Sequence, residues 1–153
     1  MWRSFLVGLV TGSRSLGPLG AVSVAARGGA LASDGGLRDQ LARPVVSNSL
    51  VQLAVAELVG DKLPGAPDRI IPAGIAPRLL TAAVAGAALA KREQRWPGAA
   101  LGALGALLAT WPSWKARVTA IERFGQVRTG LVEDALVAAA VAAVVPLRRA
   151  PTR

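Results

Sequence analysis

Charged residues punctuate a series of apolar runs in this chain, with few inside them, and five runs are long enough to predict helices. The first, Trp2 to about Ala26, is apolar apart from Arg3 and Arg14 and is divided at Gly12-Ser13-Arg14-Ser15-Leu16-Gly17-Pro18. Val45 to Val59 follows a stretch at 27–44 rich in glycine and charge. Ile75 to Ala90 begins after Pro64, Pro67 and Pro72 and stops at Lys91-Arg92-Glu93. Trp96 to Trp114 holds no charge, and Leu131 to Leu147 starts with acids and ends at Pro146 and the Arg148-Arg149 pair.

A helix on the surface of a soluble bundle carries a polar stripe. Residues 79–90 and 135–147 carry none and are apolar on every side. The pattern therefore predicts an all-α fold: a polytopic membrane bundle of about five short helices, the first interrupted, in one domain over 1–153. Trp96 lies 15 to 18 residues before Trp111 and Trp114. At a rise of 1.5 Å per residue that is about 22 to 27 Å, close to the separation of two interfacial aromatic belts. Gly98-x-x-x-Gly102 and Gly8-x-x-x-Gly12 offer faces on which helices approach closely. The other runs are short for a hydrocarbon core about 30 Å thick, which leaves room for re-entrant segments and for spans interrupted by charge.

Composition sharpens this picture mainly by exclusion. The chain has 153 residues, 52% of them hydrophobic, with 17 Gly and neither Cys nor His. That removes Ser-His-Asp triads, thiol nucleophiles, the usual zinc sites, haem ligation and iron-sulfur clusters, so no cofactor, metal or catalytic residue is expected. The net charge of +9 arises from residues that punctuate apolar runs, which suits a lipid bilayer as partner and not nucleic acid. Arg14, in the middle of the first run, argues against cleavage of that run as a signal peptide.

Charges beside the runs are the candidate chemistry. Glu57 and Asp61 are four apart, on one helical face, with Lys62 next and Pro64 ending the helix. A carboxylate at membrane depth needs a partner or water, and Arg14, at the Gly-flanked break, is the natural partner by position. Lys62 reads as a headgroup-level charge. Lys115 and Arg117 followed by Glu133 and Asp134 repeat the order in the second half. This suggests half-repeats 1–65 and 96–150 joined by helix 75–90, on the inverted plan of many transporters. With five spans, one side holds eight Lys and Arg and the other nine, so the positive-inside rule sets no orientation.

Three elements carry a family resemblance: Gly12-Ser13-Arg14-Ser15, then Glu57-Leu58-Val59-Gly60-Asp61-Lys62-Leu63-Pro64, and Leu131-Val132-Glu133-Asp134-Ala135-Leu136. Together they resemble a bacterial family of small integral-membrane proteins of unknown function with Gly-x-Arg-Ser, Glu-Leu-x-x-Asp-Lys-x-Pro and Glu-Asp elements. Trp114-Lys115-Ala116-Arg117 stands where that family often has an aromatic-Arg-x-Arg run and keeps its charges, whereas Gly125 to Gly130 departs from the family's Pro- and Asp-containing turn. The resemblance implies a multi-pass protein of a bacterial plasma (inner) membrane and brings no activity, substrate or cofactor.

Two functions follow from the residues. In one, a bundle-interior site of Arg14, Glu57, Asp61, Lys62, Arg117, Glu133 and Asp134 carries or conducts a small polar solute or ion. In the other, the same charges lock helices in a non-catalytic membrane scaffold or accessory subunit, for which a homo-oligomer is an option on size. A carboxylate pair for intramembrane acid-base catalysis ranks below both, because no nucleophile, phosphate loop or metal cluster accompanies it.

Overall fold

In a computed structural model that describes residues 1–60 and 72–146, the chain is all-helical, with no strand among the described residues. The described residues form seven α-helices: α1 (Trp2–Ser13), α2 (Leu16–Arg27), α3 (Leu37–Ala42), α4 (Pro44–Gly60), α5 (Pro72–Leu89), α6 (Arg95–Phe124) and α7 (Gln126–Val144). A 3-10 turn at Arg92–Gln94 joins α5 to α6. Each predicted run is found as helix, but the count of about five rises to seven. The first run divides into two helices, and the glycine- and charge-rich stretch holds the short α3. Nor does α6 end at Trp114: it continues through Pro112 to Phe124. Proline removes one backbone donor, and the following Trp, Lys and Ala resume good helical geometry.

Glycine contacts fix the helix directions. Gly8 lies against Gly102, and Gly12 against Ala106 and Ala109, so α1 and α6 run parallel. Ala82 meets Gly102 and Ala90 meets Gly98, so α5 runs antiparallel to α6. Along α2 and α4, Ser15 pairs with Glu57, Gly20 lies over Leu50 and Ser23 faces Ser47, which makes these two antiparallel.

The break in the first run is therefore a reversal. α2 ends in a Schellman motif, with Gly29 at φ 72° and the Ala30 N–H bonded to the Ala25 carbonyl at 2.9 Å. The connection beyond it returns to the end where α6 begins: Asp34 pairs with Arg95, and Arg38 Nε and Nη2 donate to the last carbonyls beyond α5, Ala88 and Ala90, at 2.8 and 2.7 Å. α1 and α2 thus form a hairpin turning at Arg14–Ser15, and α5 packs against both arms. An inverted repeat would set α1 and α6 antiparallel; they are parallel.

Polarity is distributed unusually between inside and outside. The fully buried side chains are small or polar, among them Arg14, Thr11, Ser4, Ser23 and Ser47 beside Val7 and Val22. The exposed ones include Trp96 (86%), Val45 (77%), Leu80 (68%) and Leu136 (66%). Glycine lets the interior close. At Gly102, an added Cβ would strike the Ala82 carbonyl of α5, and at Gly8 it would strike the Gly102 carbonyl, so three helices meet backbone to backbone. Among the described residues, no helix is long and apolar enough to cross a membrane.

Candidate charged centre

The reversal between α1 and α2 leaves the chain with unsatisfied backbone groups and one long cation. Arg14 is extended (φ −137°, ψ 117°) and its side chain is 1% exposed. Its Nη2 donates to Asp134 Oδ1 on α7 and lies 3.9 Å from Glu133 Oε2. Arg117, on α6 one turn beyond Trp114, donates through Nη1 to the same Glu133 Oε2. Glu133 thus sits between two guanidinium groups.

Glu57 closes the other side of the reversal. Ser15 caps α2 without a side-chain bond to its own helix, and α2 has no acid in its first turn. The carboxylate comes instead from α4. Glu57 Oε1 accepts the Ser15 N–H at 2.9 Å and the Ser15 Oγ–H at 2.6 Å, while Oε2 accepts the Leu16 N–H at 2.8 Å. A helix start carries about half a positive charge and orphan donors, so a carboxylate there is favourable. Two guanidinium groups and one helix start therefore face three carboxylates.

Five of the seven sequence-predicted site residues come together: Arg14, Glu57, Arg117, Glu133 and Asp134. Asp61 and Lys62 fall outside the described residues. One expected pairing is corrected. Arg14 does not bind Glu57; it reaches the acids of α7, and Glu57 takes backbone amides that display no side-chain signature. Ser13 behaves as a break-satisfying hydroxyl, its Oγ donating to the Val10 carbonyl at 2.8 Å.

A cavity opens on each flank of α7. One of about 440 Å³, between α1, α6 and α7, has Ser13, Ser113, Arg117 and Glu133 at its polar end and Leu9, Leu136 and Val137 along its walls. Another of about 530 Å³, between α2, α4 and α7, reaches Arg14, Glu57 and Asp134 beneath Ala54, Leu58 and Ala138. Both are large enough for a small solute or a lipid chain. Among the described residues, no cluster of acids fit to hold a metal ion occurs.

A second polar knot, away from this centre, was not foreseen. Asp34 Oδ1 accepts the N–H groups of Gly36 and Arg38 at the start of α3, and its Oδ2 lies 2.5 Å from Arg95 Nη2. Burial pushes this carboxyl up, but the Arg95 guanidinium and the two amides outweigh it and hold it below the ordinary Asp value. The only local signal is an acid just before a helix start. Compared with family models, curated proteins and solved structures, the chain matches none.

Proposed function

We propose that the chain is a multi-pass helical protein of a bacterial plasma (inner) membrane whose charged centre carries or conducts a small polar solute or ion. One observation carries this reading: Arg14, Arg117, Glu57, Glu133 and Asp134 gather beside two cavities of a bundle that exposes large apolar side chains, Trp96, Leu80 and Leu136 among them. In water such an exterior would drive aggregation, whereas in lipid it is the expected one. Charges placed inside it cost several kcal/mol each and are retained for a task.

Helix lengths agree with a bilayer. α4, α5 and α7 have 17, 18 and 19 residues, about 26 to 29 Å against a hydrocarbon core of about 30 Å. α1 and α2, at 12 residues and about 18 Å each, form a re-entrant hairpin. The resemblance to small integral-membrane proteins points the same way.

A second reading, the scaffold, is favoured by the saturation of Glu57, whose two oxygens are both taken by the start of α2. The two readings separate on Glu57→Gln and Glu133→Gln. Proteoliposomes loaded with a pH-sensitive dye and given a potassium gradient report proton or potassium flux, and thermal unfolding in detergent reports stability. Transport predicts wild-type flux that Glu133→Gln abolishes at temperatures well below the variant's own unfolding. Absent flux in the wild type, with about 1–3 kcal/mol lost in Glu57→Gln because a backbone N–H at the start of α2 loses its acceptor, overturns it in favour of the scaffold.

A further inference from the structure

The hairpin changes where the basic residues stand. With α1 and α2 entering and leaving at one end, that end of the bundle receives the chain start, the 28–43 connection and the turn between α5 and α6. Arg3, Arg27, Arg43, Lys91 and Arg92 are exposed there, and Arg38 and Arg95 turn inward beside them. At the opposite end, where α6 turns into α7, Lys115, Arg123 and Arg128 are exposed, while Arg14, Arg78 and Arg117 turn inward. Among the described residues, five exposed Lys and Arg at the first end thus stand against three at the second.

Aromatic residues mark the same two levels. Because Gly8 lies against Gly102 in parallel helices, Trp2 stands level with Trp96, six residues earlier on each. Both are exposed, at 60% and 86%, and Arg3 covers the Trp2 ring at 5.3 Å. Trp111 and Trp114 lie together at the second level, ring centroids 6.3 Å apart, with Lys115 over Trp111 at 5.6 Å. Each level thus pairs indole with a cation, the combination that favours a headgroup layer.

We infer that the basic end, with Arg3, Arg27, Arg43, Lys91 and Arg92, rests against the anionic headgroups of the cytoplasmic leaflet, and that the α6–α7 turn at Gly125 lies on the other side of the membrane. This rests on the membrane reading above. Anionic phospholipid is the partner that the charge selects: each Lys or Arg near such a surface is drawn to it, and short loops rich in them stay on the cytoplasmic side.

The cysteine-free chain makes the test direct. Ser33→Cys, in the 28–43 connection, and Glu122→Cys, near the α6–α7 turn, are exposed single-cysteine positions. Spheroplasts treated with a membrane-impermeant maleimide should label Glu122→Cys at once and Ser33→Cys only after lysis. The reverse pattern overturns the orientation. Changing Arg27, Arg43, Lys91 and Arg92 together to Gln should yield Ser33→Cys labelled in part before lysis, and an unaltered pattern overturns the role of charge. Alkaline-carbonate extraction of the same membranes keeps the two readings apart, since release of the protein refutes the membrane reading itself.

Discussion

The glycine seam between α1, α5 and α6 and the charged centre between α2, α4, α6 and α7 are both buried, and they hold by opposite means. In the seam, Gly8, Gly86, Gly98 and Gly102 bring backbones together because nothing projects from them. The centre instead depends on long side chains that cross from one helix to another, Arg14 to Asp134 and Arg117 to Glu133. The seam has no charge to lose and no room to gain an atom. The centre has room on both flanks of α7 but fails if one partner is removed, because the other is left charged and buried.

The largest effect is therefore expected at Arg14. Arg14→Ala leaves Asp134 without its guanidinium and Glu133 with one cation, and stability in detergent should fall by about 3–5 kcal/mol. Replacing the pair together, Arg14→Met with Asp134→Leu, should recover most of that loss, since well-packed apolar groups substitute for a buried ion pair with little cost. Thermal unfolding of both variants is the measurement. An Arg14→Ala protein that melts with the wild type would mean that the centre does not hold α7.

A smaller effect is expected in the seam, where only size matters. Gly102→Ala places a methyl group against the Ala82 carbonyl, a contact with backbone on the far side that no side chain can relieve. The expected loss is about 1–3 kcal/mol. Gly17→Ala is the contrast, because a Cβ there meets nothing within 4 Å. It should be neutral or stabilise by up to about 1 kcal/mol through the chain entropy that glycine forfeits in a helix. Equal outcomes at the two glycines in a thermal-unfolding series would dissolve the distinction between seam and surface.

Legibility from sequence divides along the same line. The helices were legible because apolar runs end at charge and proline, as at Pro44 and at Lys91-Arg92. The break at Gly12 to Pro18 was legible from its glycine, serine and proline, but its direction was not: a break says that hydrogen bonding stops, not which way the chain leaves. That missed reversal made the count of basic residues even and pointed Arg14 at Glu57. Asp134, to which Arg14 donates, lies 120 residues away, beyond any local signal. Glu57 reads as an interior carboxylate from the sequence, but besides the Ser15 hydroxyl its partners are two backbone amides, which every helix start possesses and no sequence pattern marks. α6 runs past Trp114 because Lys115 and Arg117 end the apolar run without ending the helix, both being good helix formers.

The smallest effect extends the comparison to the basic end, where charge acts near water. Asp34 is held below its ordinary value because Arg95 and the amides of Gly36 and Arg38 outweigh its burial. A carboxylate with a depressed value in the folded chain contributes its stability fully above the unfolded value of about 3.9, and loses it as pH falls through the lower folded value. Neutral to mildly acid solution should thus leave this contribution intact, and the loss should fall below about pH 4. Asp34→Asn keeps an acceptor for the start of α3 and removes only the ion pair with partly exposed Arg95, so it should cost about 1 kcal/mol or less at neutral pH. The gap between wild type and Asp34→Asn, followed by unfolding across pH, should stay constant above about pH 5 and close below about pH 4. A gap that opens instead as pH falls would mean that the carboxyl is raised, with burial prevailing over Arg95, and this end of the bundle would then be held by packing as the seam is.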